Sequence, residues 1–158
     1  MNRRLLVFAL IVSIVTVVAA CNKDKFQTRP SLTLTSLNSD FYPTPESEML
    51  IEFEFTDKEG DLTDSIFFRK VRLNKRKVPT IRDTISVKIP PFPKNTQGFI
   101  QLRMKSGDYL ESAQNPPIDP ITNKRETDTL MMYWALRDQA GNKSDTVAVG
   151  PIYVVRQQ

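Results

Sequence analysis

A chain of 158 residues with 22 Lys and Arg, 18 Asp and Glu, one cysteine and no histidine sets limits before any pattern is read. Without histidine, Ser–His and Cys–His nucleophilic pairs and histidine-based zinc sites are excluded, and a single cysteine excludes a disulfide within the chain. The net charge of +4 includes Arg3 and Arg4 at the extreme N-terminus, and no long basic run follows, so no nucleic-acid partner is expected.

After Arg3 and Arg4 comes an almost unbroken apolar run from Leu5 to Val18, then Val18-Ala19-Ala20-Cys21. A basic start, an apolar centre and small residues before a cut site are the parts of a secretory signal peptide. The run is shorter than the ~20 apolar residues of a membrane-spanning helix. Val18-Ala19-Ala20-Cys21 resembles the lipobox of bacterial lipoproteins. The resemblance implies that residues 1–20 are a lipoprotein signal peptide cut before Cys21. It also implies that Cys21 carries fatty acyl chains of the palmitate class on its sulfur and its new amino group. Two or more chains hold a protein stably in a membrane, whereas one does not. Residue 22 is Asn; in lipoproteins of enteric type an Asp here favours inner-membrane retention, so the resemblance implies the outer membrane. The tract Asn22-Lys23-Asp24-Lys25 is similar to lipoproteins of the Bacteroidetes, some of which reach the cell surface. Periplasmic and surface faces both stay open. Residues 21–30 read as the lipidated Cys and a polar tether that ends in Pro30.

From residue 31 onward the apolar period is two, the signature of half-buried strands. Leu32 and Leu34 alternate with Thr33 and Thr35. Met49, Ile51, Phe53 and Phe55 alternate with Leu50, Glu52, Glu54 and Thr56, the clearest strand of the chain. Ile66, Phe67 and Phe68 open a strand running through Val71 and Leu73, whose phase slips between Phe68 and Val71 and predicts a bulge there. The basic cluster Arg69, Lys70, Arg72, Lys75, Arg76 and Lys77 reads as a solvated strand face and its turn. Ile85, Val87 and Ile89, then Ile100, Leu102 and Met104, supply two further strands. Leu130, Met132, Trp134 and Leu136 form another inward face. Val147, Val149, Ile152 and Val154 close the chain, interrupted by Gly150-Pro151.

Seven such strands, joined by turn formers such as Asn38-Ser39-Asp40, Pro90-Pro91-Phe92-Pro93 and Ala140-Gly141-Asn142, predict an all-β fold over residues 31–158. The expected architecture is an immunoglobulin-like antiparallel β-sandwich, with a small closed barrel as the alternative. No cysteine pair brackets a tryptophan as in antibody domains, and Trp134 lies on the sixth strand rather than the third. The expected core contains Ile51, Phe53, Phe55, Val87, Leu102, Met132, Trp134 and Val147. The segment from Gly107 to Glu126 lacks periodicity and reads either as a stiff protruding loop or as a crossover that covers the core edge.

Asp57-Lys58-Glu59-Gly60-Asp61-Leu62 follows directly on the second strand. Carboxylates at alternate positions around a glycine offer hard oxygen ligands on a tight turn, the chemistry calcium prefers. The same residues also make an ordinary solvated turn. In a seven-strand sandwich of Ig topology the hairpin Asp138-Gln139-Ala140-Gly141-Asn142-Lys143-Ser144-Asp145 shares an end with that loop. Asp138 and Asp145 are therefore expected to complete a calcium site begun by Asp57, Glu59 and Asp61.

The lipobox, the acidic loop and the final Asp-Gln-Ala-Gly-Asn hairpin together resemble small Ig-like lipoproteins of the Bacteroidetes. That resemblance implies a location and a fold, not an activity. The expected role is a non-catalytic one, binding or scaffolding in the cell envelope, with the membrane lipid held through Cys21 and an envelope protein or glycan as partner. The alternatives are a carbohydrate- or host-ligand-binding accessory module and a carboxylate-dependent hydrolase. The hydrolase would need two carboxyl groups in a cleft, which exposed turns do not offer.

Overall fold

The structure, a computed structural model, describes residues 29–90 and 93–157. The leader, Cys21 and most of the tether lie outside the described residues. Eight strands and one helical turn follow in order: β1 Ser31–Leu37, β2 Phe41–Tyr42, β3 Glu48–Thr56, β4 Leu62–Arg72, β5 Thr84–Lys88, β6 Gln97–Lys105, α1 Ser106–Tyr109, β7 Asp128–Asp138 and β8 Val147–Val154. They form two sheets, β1-β3-β6 and β2-β8-β7-β4-β5. All neighbouring pairs are antiparallel except β2, which runs parallel to β8. The fold is thus an all-β sandwich of two packed sheets, not a closed barrel. The strand missing from the sequence reading is β2. Two residues cannot display a period, yet Tyr42 is buried and its hydroxyl donates to the Ser39 carbonyl at 2.6 Å.

The alternating stripes meet between the sheets. Met49, Ile51, Phe53 and Phe55 of β3 face Ile66 and Phe68 of β4 and Leu130, Met132, Trp134 and Leu136 of β7, all of them buried. Trp134 lies at the centre, its ring centroid 5.1 Å from Phe53 and 4.5 Å from Phe68. Val87 and Val147 belong to the edge of this core and are only partly buried. The predicted interruption at Gly150-Pro151 is real. The β7–β8 register shifts between Leu130 and Met132, and Gly150 has φ 133°. A Cβ there would stand 2.9 Å from the Leu130 carbonyl oxygen, so only glycine fits.

The bulge expected between Phe68 and Val71 does not occur. Pairing runs unbroken from Phe68 opposite Trp134 to Arg72 opposite Leu130, and the register shift of β4 lies between Leu62 and Ile66. The phase seemed to slip because the inward positions after Phe68 are Lys70 and Arg72, not apolar residues. Both side chains are buried, Lys70 with 3 % of the residue exposed and Arg72 with 4 % of its side chain exposed. Part of the presumed solvated basic face therefore points into the sandwich.

Strand direction defines two poles. The start of β1, the end of β3, the start of β4 and the end of β7 lie together, because Ser31 pairs with Thr56 and Leu62 with Asp138. This is the pole at which the chain enters from residue 30. At the opposite pole lie the 73–83 loop, the 106–127 segment and residues after Val154. The first half of that segment covers the core edge, with Leu110 and Ala113 fully buried. The second half protrudes as a hairpin closed by an Ile118–Arg125 bridge. Both readings of this segment thus apply, each to one half.

A charged plug seals this far pole. Asp128, fully buried, accepts from the Ser112 and Ala113 amides at 2.9 and 3.2 Å, from Arg72 Nε at 3.1 Å and from Arg156 Nη1 at 2.8 Å. Arg72 also pairs with Glu126 at 2.6 Å and Arg156 with Glu111 at 2.9 Å. Lys70 Nζ donates to the Glu111 carbonyl. Burial pushes the Lys70 ammonium down to about 8 although Asp83 and Asp128 pull it upward. Below that value Lys70 is charged in both the folded and the unfolded chain, and the whole burial cost is present. Between about 8 and the free-lysine value of 10.5 only the unfolded chain keeps the proton, so stability rises with pH across this window. Urea unfolding from pH 7.5 to 10.5 should show wild type gaining roughly 2–3 kcal/mol relative to Lys70→Met. Parallel profiles for the two proteins would show that the ammonium bears no such cost.

Candidate functional site

The inward stripe of β3 does not stop at Phe55. Its next member is Asp57, 1 % exposed although it begins a polar turn. The inward stripe of β7 likewise continues past Leu136 to Asp138, 2 % exposed. Two carboxylates, one from each sheet, therefore close the apolar core at the pole where the chain enters.

The turn after β3 is folded around Asp57. Its backbone N–H donates to the Thr96 carbonyl at 2.7 Å, and its own carbonyl accepts the Gly60 N–H at 3.1 Å. Its Oδ2 accepts the Asp61 N–H at 2.8 Å. Gly60 has φ 62°, and a Cβ there would meet the Asn95 backbone at 3.3 Å, so glycine allows the turn to lie against the 93–96 segment. This winding brings Asp57, Glu59 and Asp61 together. One carboxylate oxygen from each lies within 4.8 Å of the others. Asp57 is buried, Asp61 half-buried and Glu59 exposed. Burial raises the Asp57 carboxyl above its ordinary value, the Asp61 N–H opposes this, and the charges of Asp61, Glu59 and Asp138 raise it further. Two carboxylate oxygens, Asp57 Oδ1 and Asp61 Oδ1, are buried without a hydrogen-bond partner.

The final hairpin does come to the same pole. The Gln139 N–H donates to the Asp61 carbonyl at 2.9 Å, and Leu62 pairs with Asp138. Asp138, however, is engaged by its own turn. Its Oδ1 accepts the Asn142 N–H at 2.6 Å and its Oδ2 the Asn142 side-chain amide at 2.7 Å. Asp145 is exposed, and the three-carboxylate group formed by Asp57, Glu59 and Asp61 includes neither it nor Asp138. Of the five residues expected to share a site, three are gathered, one stands beside them as a hairpin brace, and one lies apart.

Exposed apolar groups stand elsewhere too, Leu73 and Phe99 singly and the others in pairs. At the far pole the protruding hairpin presents Ile118 and Ile121, the latter 91 % exposed. Asp119 Oδ1 accepts the N–H groups of Ile121 and Thr122 at 2.8 and 2.9 Å, which holds that tip in a defined turn. At the edge of the larger sheet, exposed Phe41 lies opposite exposed Tyr153 in the β2–β8 pair. The sequence reading identified neither. Phe41-Tyr42 was too short to show a face, and Ile121 follows Pro120 in a stretch without periodicity. Among the described residues no helix is long and apolar enough to cross a membrane. In comparisons with known proteins, no family model, no curated protein and no solved structure matches the chain.

Proposed function

We propose that this protein is a lipid-anchored module of the bacterial outer membrane with a non-catalytic binding or scaffolding role. In this reading Cys21 is acylated, residues 22–30 form the tether, and an Ig-like sandwich is displayed from it. The observation that carries the reading is polarity. The chain enters the sandwich at the acidic pole, and the hairpin bearing Ile118 and Ile121 projects from the opposite one. A tether of about ten residues reaches at most ~3.3–3.6 Å per residue, so the lipid would hold the acidic pole close and leave the apolar tip facing outward. Exposed apolar side chains on a braced turn suit a protein partner. The Ig-like assignment is supported by the strand arrangement, with the first, second and fifth of the seven longer strands in one sheet and the third, fourth, sixth and seventh in the other, so that only the fourth lies on the opposite sheet from the constant-type pattern.

The accessory-module alternative has one specific observation in its favour. Phe41 and Tyr153 form an exposed aromatic pair on a sheet edge, a surface on which a sugar ring can stack.

The lipid anchor is tested by metabolic labelling. Wild type should incorporate labelled palmitate, and Cys21→Ser should accumulate as an unlabelled precursor. Label retained by Cys21→Ser would overturn the lipoprotein reading. Membrane association by itself is a weaker readout, because an uncleaved signal can anchor the chain.

A further inference from the structure

We propose that the turn after β3 is a divalent-cation site of the calcium type, built by Asp57, Glu59 and Asp61. The proposal is independent of the lipid anchor and adds a ligand to the pole nearest the tether. Three observations carry it. The first is convergence. One oxygen from each carboxylate lies within 4.8 Å of the other two, and an ion that binds oxygen at about 2.3–2.6 Å can bridge ligands up to about 5 Å apart.

The second is that this group contains buried acceptors with nothing to accept. Asp57 is 1 % exposed. One of its oxygens takes the Asp61 N–H, while Oδ1, like Oδ1 of Asp61, is buried without a hydrogen-bond partner. Buried polar atoms in folded proteins are nearly always satisfied, and an exception points to an ion or a water. A turn designed only for solubility would direct its carboxylates outward. Asp57 instead continues the core-facing stripe and turns into the cluster.

The third is the contrast between the poles. Asp128, the buried carboxylate at the far end of β7, is neutralised by Arg72 and Arg156. Asp57 is the buried carboxylate that ends the β3 stripe at the near pole. It is instead gathered with the carboxylates of Glu59 and Asp61, like charges that repel one another. A divalent cation would reverse that repulsion. It would also tie the β3–β4 turn to the final hairpin, since the Asp61 carbonyl already holds Gln139. Calcium suits the site better than magnesium, because calcium accepts an irregular set of carboxylates with variable coordination, whereas magnesium demands near-ideal octahedral geometry.

The test uses the full chain in detergent micelles at pH 7.5, stripped with chelator and dialysed. Calorimetric titration with calcium chloride should give saturable binding of one ion. The melting temperature should be higher in millimolar calcium than in chelator and should rise with the logarithm of calcium concentration. Glu59→Gln, at an exposed position that leaves the core intact, should weaken calcium binding at least tenfold. Asp57→Asn should remove the calcium-dependent shift and melt above wild type in chelator, because it discharges the buried orphan. Superimposable wild-type melting curves in calcium and chelator, with no binding heat, would overturn the proposal. So would binding of magnesium but not calcium, or wild-type calcium affinity in both variants.

Discussion

Asp128→Ala should destabilise the protein by about 3–5 kcal/mol, the range for removing one partner of a buried ion pair. The carboxylate holds four donors at once. Two are the Ser112 and Ala113 amides within the far-pole segment, and two are arginines whose side chains are 4 % and 9 % exposed. Its loss leaves Arg72 and Arg156 buried with Glu126 and Glu111 as their remaining carboxylate partners. Burial alone would raise the Asp128 carboxyl, but the Ser112 and Ala113 amides and the two arginines outweigh it and hold the group below its ordinary value. The folded chain therefore binds this proton less readily than the unfolded chain. The resulting stability is fully present above the ordinary carboxyl range of about 4 and is lost as pH falls through the lower folded value. Urea unfolding at pH 7 measures the loss. The difference between wild type and variant should then shrink in acid. A loss below about 1 kcal/mol would mean that the two glutamates can take over the arginines.

Trp134→Ala and Phe53→Ala should each cost about 3–5 kcal/mol, against a total domain stability of about 5–15 kcal/mol. Both side chains are fully buried, and their rings meet at a tilt of 49° with centroids 5.1 Å apart. Because they touch, the double variant should lose less than the sum of the singles. Trp134 Nε1 has no hydrogen-bond partner in the core, so Trp134→Phe should cost much less than Trp134→Ala. Trp134 is the only tryptophan, and its fluorescence reports unfolding of Phe53→Ala directly; the Trp134 variants are followed by circular dichroism. Losses below about 1 kcal/mol at both positions would contradict the core assignment.

Most of the fold was legible because period-two alternation is a local signal. Met49 to Phe55 and Leu130 to Leu136 declare their inward faces within single strands, and Gly150-Pro151 announces its own break. The errors share a cause. Along β4 the inward stripe runs Ile66, Phe68, Lys70, Arg72. A reading that scores only apolar residues sees the stripe fail at Lys70 and infers a bulge. The same habit hid Asp128 at the start of the β7 stripe and the depth of Asp57 at the end of the β3 stripe. Phase alone could have located all of them, since Lys70, Asp57 and Asp128 each stand two residues from the last apolar member and Arg72 two further on. Phase could not say what would neutralise them.

Alternation along the chain was thus sufficient for the strands and most of their inward faces, while the nearness of the acidic turn to the final hairpin followed from the expected Ig topology. It was sufficient because side-chain direction in a strand follows residue number. The partners of the inward charges depend on residues distant in sequence. Arg156 reaches Asp128 across 28 positions and Arg72 across 56. Asp138 turned to Asn142 instead of joining Asp57, and Asp145 stayed in solvent. Whether a buried carboxylate meets an arginine, an amide or nothing is settled only when both sheets have packed, because burial sets the cost of the charge and neighbouring strands and loops distant in sequence supply whatever can offset it.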